Sequence, residues 1–202
     1  MRSRVILLCS TLLLSGCATT APYLTPTAMQ NQNVTYYSNG VPQAIQKHEK
    51  AEVKAAAYFE GGYLWLEIQV RNLIQETLQV HASDAVLLDG AGIMHTPADL
   101  RTAAYRTAGT LPPEQKGSGT KAMEWSMAIL TGGLTTLVDS STEDGARRNY
   151  EVMAQNAFRD FTIPPDATAR GILVYDTTTL TYPVKVIVNV QGEKSEFQFN
   201  QA

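Results

Sequence analysis

Hydrophobic positions recur with period two over most of this chain. Leu64, Leu66, Ile68 and Val70 alternate with Trp65, Glu67, Gln69 and Arg71, the signature of a strand that buries one face. Just upstream, Val53, Ala55, Ala57 and Phe59 alternate with Lys54, Ala56 and Tyr58, and Gly61-Gly62 separates the two runs. Glycine accepts the positive φ of a tight turn, so the pair predicts a hairpin. The arrangement returns near the C-terminus. There Val184, Val186, Val188 and Val190 make one face, Gly192-Glu193 the turn, and Phe197 and Phe199 the face of a return strand. Shorter runs at 85–88, 93–95 and 169–175, with the turn Asp89-Gly90-Ala91-Gly92, bring the total to about seven to nine strands. The expected fold is mainly β, an antiparallel sandwich.

One stretch follows a different period. Met123, Met127, Leu130, Leu134 and Leu137 are spaced by four, three, four and three residues, which is helical. Ser140-Ser141-Thr142-Glu143-Asp144 supplies cap residues and acids for a helix N-terminus. Ala146, Tyr150, Met153 and Ala157 continue at helical spacing, with Ala154 and Phe158 beside them. This predicts a helical hairpin inserted in the β domain at about 120–158. Gly132-Gly133 inside its first helix marks a kink or a close helix contact. If Leu64, Leu66, Ile68 and Val70 point inward, Tyr63 and Trp65 point to the opposite face. Either the insertion covers them or they form a recognition patch. Tyr63, Trp65, Met123 and Met127 are therefore the candidate partner surface.

The N-terminus reads as an address. Arg2 and Arg4, an apolar run over 5–14 and the small residues Ser15 and Gly16 have the layout of a secretory signal peptide. The run has about half of the roughly 20 residues that a membrane span needs. The ending Leu14-Ser15-Gly16-Cys17 resembles the lipobox of bacterial lipoproteins. That resemblance implies lipidation of Cys17, with palmitate among its acyl chains, and cleavage just before it. Ala18 after the cysteine implies anchoring in the outer membrane on the periplasmic side. Residues 18–33 hold little charge or aliphatic bulk and include Pro22 and Pro26, too little apolar surface to offset ordering entropy. The expected organisation is a signal peptide at 1–16, a lipidated flexible tether at 17–33 reaching on the order of 50 Å, and a β domain at 34–202.

The β pattern also carries a resemblance. Glu67-Ile68-Gln69-Val70-Arg71-Asn72, then Asp84-Ala85-Val86-Leu87-Leu88-Asp89-Gly90-Ala91-Gly92, and later Pro165-Asp166-Ala167-Thr168-Ala169-Arg170-Gly171-Ile172-Leu173-Val174-Tyr175 resemble the strands of immunoglobulin-like domains of bacterial surface lipoproteins. The likeness implies an immunoglobulin-like sandwich, without the paired cysteines around a tryptophan of antibody domains. It implies no activity.

Chemistry is sparse. Loss of residues 1–16 makes the chain two charges more negative than its formal −3, and no basic run offers a footprint for nucleic acid. Of two cysteines, Cys9 leaves with the signal and Cys17 goes to lipid. The nucleophile elbow, zinc-protease and phosphate-loop motifs are absent. His48, His81 and His95 are far apart in sequence, and Asp84, Asp89, Asp99 and Asp176 each suit a strand end or turn. The expectation is no catalytic residue, no metal and no cofactor. The favoured function is a non-catalytic periplasmic module that binds or scaffolds an envelope protein. The runner-up is a periplasmic hydrolase or metal-binding protein using His95 and nearby acids.

Overall fold

The computed structural model describes residues 23–27, 33–36, 42–108 and 143–201. The signal peptide, Cys17, Met123, Met127 and Gly132-Gly133 lie outside the described residues.

Alternation builds a hairpin at the centre of the molecule. Strand β4 (Ala51–Glu60) pairs antiparallel with β5 (Tyr63–Asn72) over their full lengths. The turn uses Gly61 and Gly62 at φ 59° and 81°, as the paired glycines predict. On one side β5 pairs with β10 (Thr168–Asp176); on the other, β4 leads to β3 (Pro42–Lys47) and β2 (Asn33–Tyr36). A second antiparallel sheet runs β1 (Thr25–Pro26), β12 (Glu193–Asn200), β11 (Val184–Val190), β7 (Ala85–Leu88), β8 (Met94–His95). The turn between β11 and β12 falls on Gln191-Gly192, both at positive φ, one residue earlier than expected. A two-stranded sheet of β6 (Leu78–Val80) and β9 (Phe161–Ile163) completes the strands among the described residues.

The two large sheets meet over one apolar core. Val53, Leu64, Leu66, Ile68, Val70 and Tyr175 come from the first sheet, and Leu87, Val186, Val188, Phe197 and Phe199 from the second. The inward faces match those predicted, and the architecture is an antiparallel β sandwich.

The opposite face of β5 is closed too. Helix α1 (Leu100–Thr107) and helix α2 (Glu143–Gln155) pack against each other and cover it. Helix α2 falls at the position of the second helix of the expected insertion, the first lies outside the described residues, and α1 is upstream of the insertion altogether. Asp99 starts α1 by accepting a hydrogen bond from the Thr102 N–H at 2.8 Å, the usual N-cap geometry. Beneath the helices Trp65 is wholly buried and Tyr63 is 3% exposed. Neither is available as a partner surface, because Ala103, Ala104 and Met153 pack over that face. Gly61 is needed twice: its φ is positive, and a Cβ there would lie 2.6 Å from the Thr107 Cα.

The expected tether is shorter than its composition suggests. Leu24 is fully buried, and its N–H donates to the Ala57 carbonyl at 3.0 Å. β1 pairs with β12, and the Thr27 N–H donates to the Gln198 carbonyl at 2.8 Å. β2 begins at Asn33, still within the span assigned to the tether. A two-residue edge strand tolerates Pro26, which would be excluded from a central one. Residues 23–27 therefore belong to the domain.

Replacing Leu66 by alanine should cost about 2–5 kcal/mol, and replacing half-exposed Gln69 about 0.5 kcal/mol or less. Glu67→Ala should fall between them, since Glu67 is 8% exposed and pairs with Arg170 at 2.6 Å. Denaturant melts give the ranking, and a Gln69 cost equal to that of Leu66 would reverse the assigned faces.

Candidate functional site

Strand register gathers several turns and the incoming chain at one end of the sandwich. Thr25 pairs with Asn200, Phe199 with Val184, and Lys185 with Leu88. The chain before β1, the start of β11 and the loop after β7 therefore share one pole. From β1 the backbone also reaches the other sheet, where Tyr23 bridges Tyr58. The β4–β5 turn lies at this pole as well, with Phe59 meeting Tyr182 edge to face at 5.6 Å.

Asp89 organises the loop between β7 and β8. One carboxylate oxygen, Oδ1, accepts the N–H of Ala91 at 3.0 Å and that of Ile93 at 2.8 Å. The Asp89 N–H donates to the Ile93 carbonyl, and the Gly90 N–H to the Thr181 carbonyl. A Cβ at Gly90 would come within 2.7 Å of the Tyr182 carbonyl oxygen, so the loop is pressed against the segment before β11. Burial disfavours the charged form of Asp89. The N–H groups of Ile93 and Ala91, with the His95 and Thr181 side chains beside the carboxylate, outweigh it and hold the carboxyl down at about 2. Ile93, the last residue of the loop, and Met94, the first of β8, are exposed large hydrophobic side chains.

The loop places His95 beside Asp89, with Nε2 at 3.3 Å from Oδ2. The approach is close, but it lacks hydrogen-bond alignment. A histidine–carboxylate pair is half of a hydrolytic arrangement; the other half is a nucleophile bonded to the histidine. The neighbouring hydroxyl, Thr181 Oγ1, accepts from the Ala91 N–H at 3.1 Å, and His95 Nε2 has no hydrogen-bond partner. The remaining histidines are elsewhere: His48 bonds Ser195 Oγ at 2.8 Å, and His81 faces Asp160 at 3.5 Å. Asp84 accepts the His81 N–H, Asp99 caps α1, and Asp176 accepts the Thr178 N–H. Among the described residues no three metal-ligating side chains converge, and no helix is long and apolar enough to cross a membrane.

Polar chemistry absent from the sequence reading sits under and beside the helices. Glu60 is half-buried near the pole, and its carboxyl is pushed up to about 8 by burial. The Tyr58 and Trp65 rings stack at 6.1 Å, and the Trp65 Nε1–H donates to the Glu60 carbonyl at 3.1 Å. Burial raises Glu67 while Arg170 pulls it down. In the sequence Glu67 and Glu60 look like ordinary outward residues of alternating strands. The available signal was their neighbourhood, Tyr58, Tyr63 and Trp65, too apolar for an open face.

No family model matches the chain, and no curated protein matches it. Among solved structures it is similar to the yjhA protein from Bacillus subtilis. The identity is 10% over 82% of this chain and 77% of that one, with a TM-score of 0.33. So distant a likeness decides neither fold nor function.

The Glu60 shift has a definite sign. An unfolded chain ionises this carboxyl near 4.5 and the folded one near 8, so between those values the unfolded state binds fewer protons. The contribution to stability is fully present below pH 4.5 and is lost as pH rises to about 8, on the order of a few kcal/mol. Glu60→Gln should flatten that fall. Denaturant melts of both proteins at pH 5 and 8 provide the check, and an equal pH dependence would rule out Glu60 as its source.

Proposed function

We propose that the protein is a lipoprotein of the outer membrane, anchored through acylated Cys17 on the periplasmic side, whose immunoglobulin-like domain binds or scaffolds an envelope protein without catalysis. The observation that carries this reading is the sequence Leu14-Ser15-Gly16-Cys17 behind two arginines and a short apolar run. It is supported by the seating of Tyr23 and Leu24 on the domain, so that the acceptor cysteine precedes the fold by only a short connection. Multiple acyl chains bind stably where a single chain is marginal. Met123 and Met127 are the proposed partner contacts that the burial of Tyr63 and Trp65 leaves in place.

A periplasmic hydrolase using His95 is the second reading, favoured by the 3.3 Å approach of Asp89. Against it, Asp89 already holds two loop N–H groups, and no hydroxyl is bonded to His95 Nε2.

Cys17→Ser should abolish incorporation of labelled palmitate and leave an uncut precursor. Label retained at wild-type level would refute the anchor. His95→Ala should leave recovery of crosslinked envelope partners unchanged; loss of a hydrolytic activity on envelope substrates would favour the second reading.

A further inference from the structure

The pole that receives the incoming chain also displays the tip of the β7–β8 hairpin, residues 89–94, with Met94 paired to Leu88 at its base. Ile93 and Met94 are 58% and 65% exposed, and they are the exposed large hydrophobic side chains among the described residues. The backbone that carries them is fixed, because Asp89 holds the Ala91 and Ile93 N–H groups and Gly90 is pressed against the Tyr182 carbonyl. From Gly90 to Ala98 the one titratable side chain is His95. The Asp89 carboxylate beneath is 1% exposed. The tip therefore presents apolar surface with no carboxylate that would have to be stripped of water.

The covalent connection selects what meets this tip. Tyr23 follows Cys17 by six residues, and six extended residues span at most about 22 Å. The opposite pole, with the β11–β12 turn and the chain after β5, is farther away by the strand length. Strands of seven to ten residues add roughly 23–33 Å.

We infer that the Asp89–His95 loop is a membrane-docking surface, and that Ile93 and Met94 enter the headgroup region of the phospholipid bilayer in which Cys17 is anchored. This rests on the lipoprotein reading above. Two apolar side chains bind a bilayer weakly on their own. Held within a tether's length of it they act at a high effective concentration, so the anchored domain stands on one pole instead of tumbling.

The test uses the full acylated protein in phosphatidylcholine vesicles. Cys17 is consumed by lipid and the mature chain has no other cysteine, so an introduced thiol takes a polarity-sensitive fluorophore alone. Met94→Cys places it at the tip and Gln75→Cys, an exposed position beyond β5, at the far pole. Nitroxide-labelled lipids should quench the tip probe several-fold more than the far probe. Adding Ile93→Ser should reduce that quenching about twofold at an unchanged Tm. Equal quenching at the two positions in protein that carries palmitate and floats with vesicles overturns the docking and leaves the anchor standing. Protein that neither carries palmitate nor floats overturns both. A tip probe that is blue-shifted but unquenched by lipid nitroxides places a protein over the tip, and the bilayer contact falls.

Discussion

β5 is buried on both faces, and most of the molecule follows from that. Leu64, Leu66, Ile68 and Val70 meet the second sheet, while Tyr63 and Trp65 lie under α1 and α2 and Glu67, on the same face, is buried against Arg170. A strand with one solvated face needs only a partner sheet; this one also needs a cover for large aromatic rings. The helices bring small residues, Ala103, Ala104 and Ala146, so they approach closely, and the turn below them must be glycine because Thr107 sits on Gly61. The Tyr58–Trp65 stack joins neighbouring strands on that face, and such pairs contribute about 0.5–1.5 kcal/mol beyond area burial.

The entry of the chain imposes a second constraint. β1 adds to the edge of one sheet while Tyr23 and Leu24 bond to β4 of the other. The first described residues thus tie the sheets together at one pole. A pull along the N-terminus acts on a buried leucine and hydrogen bonds to two sheets, not on a frayed end. The chain thus enters at a defined end of the domain, the end where Asp89 fixes its loop.

Much of this was legible in the sequence because one period dominates it. The alternating valines of β11, the leucines of β5 and the paired glycines each specify both an element and its inward face, and those faces hold. The helix ending near 155 was legible from Ala146, Tyr150 and Met153. Helix α1 was not, since Leu100, Ala103, Ala104 and Thr107 present little apolar contrast and only Asp99 marks a start. β1 was hidden by composition: Thr25 and Pro26 look like linker, and the residue that anchors them is a single leucine. The Asp89–His95 approach joins a turn and a strand six residues apart, and its geometry depends on the hydrogen bonds that close the loop. Strand periodicity does not report these.

The two interfaces of β5 differ in what they bury. The inner one is apolar from Leu24 to Phe199, with its residues almost wholly removed from water. The outer one contains the Glu67–Arg170 pair, and the Tyr58 hydroxyl and Arg170 Nη2 have no hydrogen-bond partner there. Buried charge pairs return little net stability after desolvation, and unmatched polar atoms subtract from it. With alanines as its main contacts, the helical layer gains less from hydrophobic burial than the sheets do from each other. Local stability follows such differences. The helices are therefore expected to open before the two sheets, which hydrogen exchange would read as weaker protection of α1 and α2.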